Sequence, residues 1–241
     1  MHAIGSADSQ GVMTMTDDLN DEAIVSAWQE NAAPWIHAVR SGAIASRKLV
    51  TNDAIVSAIR RLQPTSVLDI GCGEGWLARE LASFDVRVHG FDVVPELVAA
   101  AQAAGGGRFE VMSYETFAAG ASMPAIDLAI CNFSLLGDAA TRGVIRRTAA
   151  LLPAHGTLLI QTLHPLFASA EPIRAESWQP GSWAGCDSAF GRAAPWYSRS
   201  LEGWLALLAD EGFQLRAMHE PMHPQTGVPC SVIFEAGLLL R

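Results

Sequence analysis

Residues 67–81 read Val-Leu-Asp-Ile-Gly-Cys-Gly-Glu-Gly-Trp-Leu-Ala-Arg-Glu-Leu, and this stretch decides the fold of the chain. It continues an apolar run, Ser66–Ile70, of the kind that forms a strand buried on both faces. Glycines follow at alternate positions, 71, 73 and 75, and beyond them Leu77 and Leu81 recur at helical spacing. The stretch therefore predicts a strand, a glycine-rich turn and a helix.

This turn has the chemistry of a ligand site. Glycine tolerates positive φ and lets a ligand approach bare backbone. The start of the helix adds unpaired N–H donors and a partial positive charge. Asp69 stands just ahead of the glycines. We therefore expect backbone donors for one part of a ligand and a carboxylate acceptor for another.

Glycine spacing distinguishes the kinds of nucleotide site. The dinucleotide fingerprint is G-x-G-x-x-G, whereas this chain reads Gly71-x-Gly73-x-Gly75, and no Gly-Lys-Ser/Thr phosphate loop occurs. With Asp69 ahead of the glycines, the motif resembles that of the class I S-adenosylmethionine-dependent methyltransferases. The next predicted strand, 86–91, ends at Asp92, 19 residues after Gly73. A carboxylate there can accept from both ribose hydroxyls of a nucleoside.

The resemblance implies a cofactor site for S-adenosylmethionine, with S-adenosylhomocysteine as the product. In the family, Val93 would pack on adenine, and Ser113 or Tyr114 would flank its amino group, although an acid is usual at that place. Asn132 and Phe133 would face the methionine and methyl end. The complete predicted cofactor set is Asp69, Gly71, Cys72, Gly73, Gly75, Trp76, Asp92, Val93, Ser113, Tyr114, Asn132, Phe133 and Arg47.

Strands and helices alternate along the chain at the spacing of right-handed βαβ units. Further strands are predicted at 108–112, 126–131 and 157–162, and the resemblance adds a closing antiparallel hairpin at 213–220 and 231–239. The expected fold is α/β and Rossmann-like, with a seven-stranded mostly parallel sheet, an antiparallel last strand and helices on both faces. We expect a mobile tail at 1–20, a helical cap at 21–64 and a core at 65–241.

The cap contributes candidate residues above the site. Trp28, Trp35 and Arg47 could close over the cofactor, and the Arg47 guanidinium suits a bidentate grip on the cofactor carboxylate. Both tryptophans could equally pack helix on sheet, and Arg47 could be a surface charge. Thr51 is predicted to cap a third helix that runs to Leu62.

Residues 165–199 are too long for an ordinary connection and are predicted to fold as a lid inserted in the core. The aromatic residues of this lid suit a flat or apolar substrate, or a dimer contact. Candidate acid–base residues are His164, Tyr197, Asp187 and His37. His164 is favoured because it follows the fifth strand and titrates near neutrality, and the alternative is a hydrogen-bonded turn residue before Pro165.

Composition limits the function further. The 241 residues are 50% hydrophobic and 17% charged, with a net charge of −9 and no basic run, so we expect no nucleic-acid partner. Four dispersed cysteines and the lack of a long apolar stretch predict a cytoplasmic protein without a membrane span. No metal site is predicted, and zinc at His219, His223 and Cys230 is an outside alternative, since Pro221 interrupts any helix there.

Together these features predict methyl transfer to oxygen or nitrogen of a small molecule. Two alternatives stay open: a Rossmann oxidoreductase that uses a nicotinamide cofactor, and a protein that binds S-adenosylmethionine without catalysis.

Overall fold

The computed structural model describes residues 19–167, 173, 175–184 and 189–239. The predicted tail up to residue 18, and the acid–base candidate Asp187, lie outside the described residues. Within this part of the chain, no helix is long and apolar enough to cross a membrane.

A seven-stranded sheet forms the centre of the molecule, in the order β3-β2-β1-β4-β5-β9-β8. Only β9 runs antiparallel to its neighbours, so the predicted sheet with an antiparallel last strand is confirmed. Its strands are β1 (Ser66–Ile70), β2 (Arg87–Asp92), β3 (Arg108–Val111), β4 (Leu128–Asn132), β5 (Thr157–Thr162), β8 (Phe213–His219) and β9 (Val232–Leu238). A separate antiparallel pair, β6 (Ser177–Gln179) and β7 (Trp196–Ser198), lies within the predicted lid.

Helices cover both faces of the sheet. They are α1 (Asp21–Glu30), α2 (Ala32–Ser41), α3 (Asn52–Leu62), α4 (Trp76–Ala82), α5 (Pro95–Ala104), α6 (Tyr114–Ala118), α7 (Ala139–Leu151) and α8 (Leu201–Asp210). Each face has its own apolar core, one around Leu68, Phe117 and Phe234 and the other around Ile55, Leu77 and Leu159. Because β1 lies between these cores, all five of its residues are buried, as the apolar run predicts.

One local prediction changes in the structure. Thr51 does not cap α3; it closes a π-helical turn, Arg47–Thr51, that leads directly into that helix. Its dihedral angles are helical, φ −76° and ψ −29°, whereas a capping residue needs an extended backbone. At the start of α7, the Asp21 carboxylate of α1 accepts hydrogen bonds from the amides of Asp138 and Ala140.

Strand order reverses between β1 and β4, and this point fixes the place of the site. In open α/β sheets, ligands lie outside the carboxyl ends of the strands at such a reversal. The glycine turn follows β1 there, with Asp92 at the end of β2 beside it.

Candidate functional site

The glycine turn after β1 is fastened to the end of β2. The amides of Gly71 and Cys72 both donate to the carbonyl of Phe91, at 2.9 and 3.0 Å. The Asp92 carboxylate accepts from the amide of Gly73 at 2.9 Å and from that of Val94 at 3.0 Å. Two of the roughly four acceptor positions of a carboxylate are thus used by the backbone, which leaves others for ligand hydroxyls.

Glycine is required in this turn by both backbone and space. Gly71 and Gly73 have φ of +73° and +55°, values that residues with a side chain rarely adopt. A Cβ at Gly71 would lie 2.5 Å from the Cβ of Ser134 and 2.6 Å from the Tyr114 hydroxyl. At Gly73 it would lie 3.7 Å from Nε1 of Trp35, so the cap residue Trp35 sits directly over the turn.

Two carboxylates, the buried Asp69 and the half-buried Asp92, face the turn from the ends of β1 and β2. Burial, and secondarily the charge of Asp92, raises the pKa of Asp69 to about 7. Burial also raises the pKa of Asp92, although hydrogen bonds from Val94 and Gly73 oppose that effect. A ligand cation placed near these acids would relieve their burial cost and lower both pKa values.

Arg47 brings a cation over the same turn. Its guanidinium carbon lies 5.4 Å from the Trp35 ring centre and 4.9 Å from that of Trp76. Burial lowers the pKa of Arg47 to about 10, partly offset by the charge of Glu74. Its Nε donates to Asn52, whereas its Nη2 is buried without a hydrogen-bond partner. A buried donor without a partner costs about 1–3 kcal/mol, so this group is poised to pair with a ligand anion.

Glu74, which was not among the predicted site residues, anchors the glycine turn to helices α2 and α4. Its fully buried carboxylate accepts from Arg79 of α4 at 2.6 Å and from Arg40 of α2 at 2.8 Å. The turn and the cap are therefore joined through one ionic group. An acidic residue within the glycine motif was the available signal.

The predicted adenine-side residues take different positions. Val93 packs with Trp28 and Trp35 in the small apolar cluster under the cap. Ser113 caps α6 by accepting a hydrogen bond from the amide of Thr116. The sequence did not reveal this short helix. The Tyr114 hydroxyl donates to the carbonyl of Ser134, which favours a role in bracing the loop after β4 over a direct adenine contact.

At the end of β4, Asn132 and Phe133 occupy an irregular backbone. Phe133 has φ +54°, an uncommon value for a bulky residue and one that concentrates at functional sites. Its amide donates to the carbonyl of Gln161 at 2.8 Å. The Oδ1 atom of Asn132 is buried without a partner.

Cap and lid meet above the turn in an aromatic roof, which we define as Trp28, Trp35, Trp183 and Phe190. Trp28 makes edge contacts with Trp35 at 4.9 Å and with Trp183 at 5.7 Å, and Trp183 packs on Phe190 at 4.3 Å. The Asn31 side chain fastens the two segments, accepting from the Gly191 amide at 2.7 Å and donating to the Arg192 carbonyl at 2.8 Å. Of the two cap tryptophans, Trp35 lies against the glycine turn, and closure of both over a cofactor stays a prediction.

Comparison with known proteins now identifies the domain. A family model described as a methyltransferase domain matches residues 45–217, which include the glycine turn, Asp92, Asn132 and Arg47. The chain belongs to the methyltransferase domain family.

Relatives of this methyltransferase domain agree with that assignment. A ubiquinone biosynthesis O-methyltransferase of Xanthomonas oryzae pv. oryzae is 33% identical over 114 residues, covering 45% of this chain. The chain spans about half the length of the curated relatives it matches, 47% in that case.

Solved structures share its fold. A 1,6-didemethyltoxoflavin-N1-methyltransferase of Burkholderia thailandensis, bound to 1,6-didemethyltoxoflavin and S-adenosylhomocysteine, superposes with a TM-score of 0.64 at 17% identity. That similarity covers 98% of this chain and 99% of the other. A putative S-adenosylmethionine-dependent methyltransferase of Listeria monocytogenes gives a TM-score of 0.61 at 17% identity, over 76% of this chain and 96% of the other.

The acid–base candidates of the methyltransferase domain have existing partners. The His164 ring is 1% exposed, with Nε2 2.7 Å from Glu220 and Nδ1 accepting from the Leu166 amide. Because Nδ1 accepts, Nε2 carries the proton and donates to Glu220, which favours the turn role over the acid–base role. Tyr197 lies on β7 with its hydroxyl 3.5 Å from Glu176, and burial raises its pKa. His37 is exposed on α2.

The zinc alternative finds no support among the described residues, which contain no cluster of three or more metal-ligating side chains. His223 Nδ1 accepts hydrogen bonds from the amides of Gln225 and Thr226, so its ring stabilises the local turn. His219 lies 3.0 Å from Arg61 and 3.6 Å from Glu235.

Proposed function

We propose that this protein is an S-adenosylmethionine-dependent methyltransferase that transfers a methyl group to oxygen or nitrogen of a small molecule. The supporting observation is the mixed charge around one glycine turn: an unpaired Arg47 Nη2 lies with two carboxylates, the buried Asp69 and the half-buried Asp92. The amino-acid end of the cofactor carries a carboxylate and an ammonium, and its ribose carries two hydroxyls. Each of these groups has a complementary partner at the turn.

The same charges disfavour the nicotinamide alternative. A pyrophosphate would have to approach a turn already occupied by two acids, and like charges brought together in a low dielectric repel strongly. The backbone amides of Gly71, Cys72 and Gly73 are also committed to Phe91 and Asp92 instead of pointing at a phosphate.

Separate residues would bind separate parts of the cofactor in such a reaction. Once bound, the cofactor supplies a methyl group already activated by its positive sulfur, so alignment and desolvation are the main tasks left to the protein. Asp92 would hold the ribose, Arg47 the carboxylate and Asp69 the ammonium. The aromatic roof would exclude water, and Asn132 and Phe133 would border the transferred methyl. Tyr197 and His164 remain our candidates for proton removal, although their present partners favour structural roles.

Several features support a small acceptor in a cytoplasmic setting. Net charge is −9, which disfavours binding to nucleic acid, and the roof offers flat apolar surfaces. Cys72, Cys131 and Cys230 are free thiols, as suits a reducing compartment. The partly matching relative is an O-methyltransferase and one structural neighbour is an N-methyltransferase, so both acceptor atoms stay within the proposal.

Calorimetric titration with S-adenosylhomocysteine, with NAD in parallel, tests the cofactor. We expect binding at micromolar concentrations for the former alone. Binding of NAD instead would support the oxidoreductase, and a folded protein that binds neither ligand would contradict the proposal. Tight binding without turnover of a broad acceptor panel would favour the non-catalytic alternative.

A further inference from the structure

A group of buried polar atoms begins at Asn132, beside the proposed methyl position, and continues to residues that have no role in cofactor binding. We define this group as the polar wall: Thr51, Asn132 and Gln161. Thr51 Oγ1, Asn132 Oδ1 and Gln161 Oε1 are all buried without a hydrogen-bond partner. Gln161 is fully buried and Thr51 is 3% exposed, so solvent does not compensate these atoms. Three such atoms in one place indicate a missing ligand.

The orientation of Gln161 is fixed by its neighbours. Its Nε2 lies 3.2 Å from the Thr51 carbonyl oxygen and 3.0 Å from Ser231 Oγ. A carbonyl oxygen only accepts, so the amide nitrogen must face Thr51 and cannot be exchanged with Oε1. Oε1 is therefore an acceptor that needs a donor from outside the described chain.

The backbone also places these atoms together. Asn132 and Gln161 are register partners on β4 and β5, so their side chains leave the same face of the sheet. Thr51 ends the π-helical turn that covers that face, and π-helical turns occur often at functional sites. Arg47 begins the same turn, which joins the polar wall to the aromatic roof through Trp35.

Strand order separates Gln161 from the cofactor. Asp69 and Asp92 end β1 and β2, whereas Gln161 lies on β5, two strands from β1 on the other side. Neighbouring strands are about 4.8 Å apart, so Gln161 lies about 10 Å from the glycine turn across the sheet. A ligand that reached Gln161 over β4 and β5 would lie beside the cofactor, where a methyl acceptor has to lie.

Resting on the methyltransferase function proposed above, we infer that the polar wall selects the acceptor. It takes a flat ring that carries an N–H or O–H donor beside the atom to be methylated. Gln161 Oε1 and Asn132 Oδ1 receive that donor, with Thr51 Oγ1 as a third acceptor, while the aromatic roof contacts the ring. Gln161 Oε1 and Asn132 Oδ1 are acceptors that would repel the oxygens of a carboxylate, and Arg47, the cation of the same turn, is assigned to the cofactor carboxylate.

Matched ring probes test the inference on the full chain saturated with S-adenosylhomocysteine. Benzimidazole and 1-methylbenzimidazole differ by one N–H donor, and catechol and 1,2-dimethoxybenzene differ in their O–H donors. Binding is measured by saturation-transfer NMR titration. We expect at least one donor probe to bind about tenfold more tightly than its methylated counterpart, the value of one hydrogen bond to a buried acceptor.

Two variants test whether the polar wall causes the preference for probes that carry a donor. Gln161→Met keeps the side-chain volume, and Thr51→Val removes a hydroxyl that makes no hydrogen bond, so the second variant should fold as well as the wild type. In each variant, the ratio of the affinity for a donor probe to that for its methylated counterpart should fall toward one. The affinity for S-adenosylhomocysteine should be unchanged.

A preference near one in the wild type, a preference unchanged in both variants, or no probe binding to the loaded protein would overturn the inference. Weakened cofactor affinity in both variants would do so too, because the polar wall would then belong to the cofactor site. If S-adenosylhomocysteine itself failed to bind the wild type, the proposed function would fail first.

Discussion

The floor and the roof of the candidate site are held together by different forces. The floor, which is the glycine turn with β1 and β2, is fixed by backbone hydrogen bonds and by the carboxylates of Asp92 and Glu74. The roof is held by ring contacts and by a few hydrogen bonds between the cap and the lid. Such contacts are individually weak and open at lower cost. The floor is thus a fixed receptor, and the roof is the part that can move to admit a ligand.

Asp92 should show the largest effect, because it belongs to the floor and to ligand binding at once. Asp92→Ala removes a carboxylate that serves two backbone amides and the predicted ribose contact. Charged hydrogen bonds of this kind contribute about 1.5–3 kcal/mol each, so we expect a loss of about 100-fold in affinity for S-adenosylhomocysteine. Calorimetry measures the loss. Asp92→Asn, which retains an acceptor oxygen, should lose less, and equal affinity in all three proteins would refute the ribose role.

Glu74 should affect the stability of the floor. Glu74→Ala leaves Arg40 and Arg79 without their shared partner. Because both arginines are partly exposed, we expect a cost of about 2 kcal/mol in the free energy of unfolding, below the value for a fully buried pair. Urea denaturation of the ligand-free protein measures it. Glu80→Ala, in the exposed part of α4, is the matched control, and an equally small effect of both changes would contradict the structural role of Glu74.

Arg47 should separate binding from stability. Arg47→Met removes a buried cation whose Nη2 has no partner, so the ligand-free protein should be no less stable. Affinity for S-adenosylhomocysteine should fall about 20-fold through the lost carboxylate contact. Affinity for methylthioadenosine, which lacks the amino-acid end, should be unchanged. A parallel fall for both ligands would mean that Arg47 only supports the roof.

Asp69 should make binding depend on pH. Its pKa, raised to about 7 by burial, means that the folded ligand-free protein keeps a proton that the unfolded chain loses near pH 4. The resulting stability is full at low pH and is lost as pH rises through 7. A ligand ammonium favours the ionised form, so affinity for S-adenosylhomocysteine should increase about fivefold from pH 6 to pH 8. Asp69→Asn should abolish the increase in a calorimetric series, and an unchanged slope in that variant would assign it to another group.

The floor was predictable from the sequence because its signals are local. The apolar run of β1, the alternate glycines and the spacing to Asp92 lie within 27 residues and determine strand, turn and ligand side together. Each of these features has one backbone conformation that suits it. The prediction of the closing antiparallel hairpin rested on the family resemblance, and the structure confirms the antiparallel last strand.

The roof and the polar wall depend on contacts between distant segments, so the sequence carried little information about them. Gln161 meets Thr51 across 110 positions, and Asn31 meets Arg192 across 161. His164 and Tyr114 looked like ligand residues because they follow strands, yet their side chains have partners in Glu220 and Ser134. A polar glutamine inside the apolar strand TLLIQT was the one visible sign of the polar wall.

The ten-residue helix α1 has a mechanical consequence for turnover. Its first residue, Asp21, holds the start of α7, and Asn31, which follows its last residue, holds the lid. At about 1.5 Å per residue it is a rigid strut of about 15 Å between the acceptor side and the roof. Because α1 contacts both segments, we expect movement of the roof to be coupled to the start of α7 on the microsecond-to-millisecond timescale. The rate of product release would then depend on how fast the hydrogen bonds of Asp21 and Asn31 break and re-form.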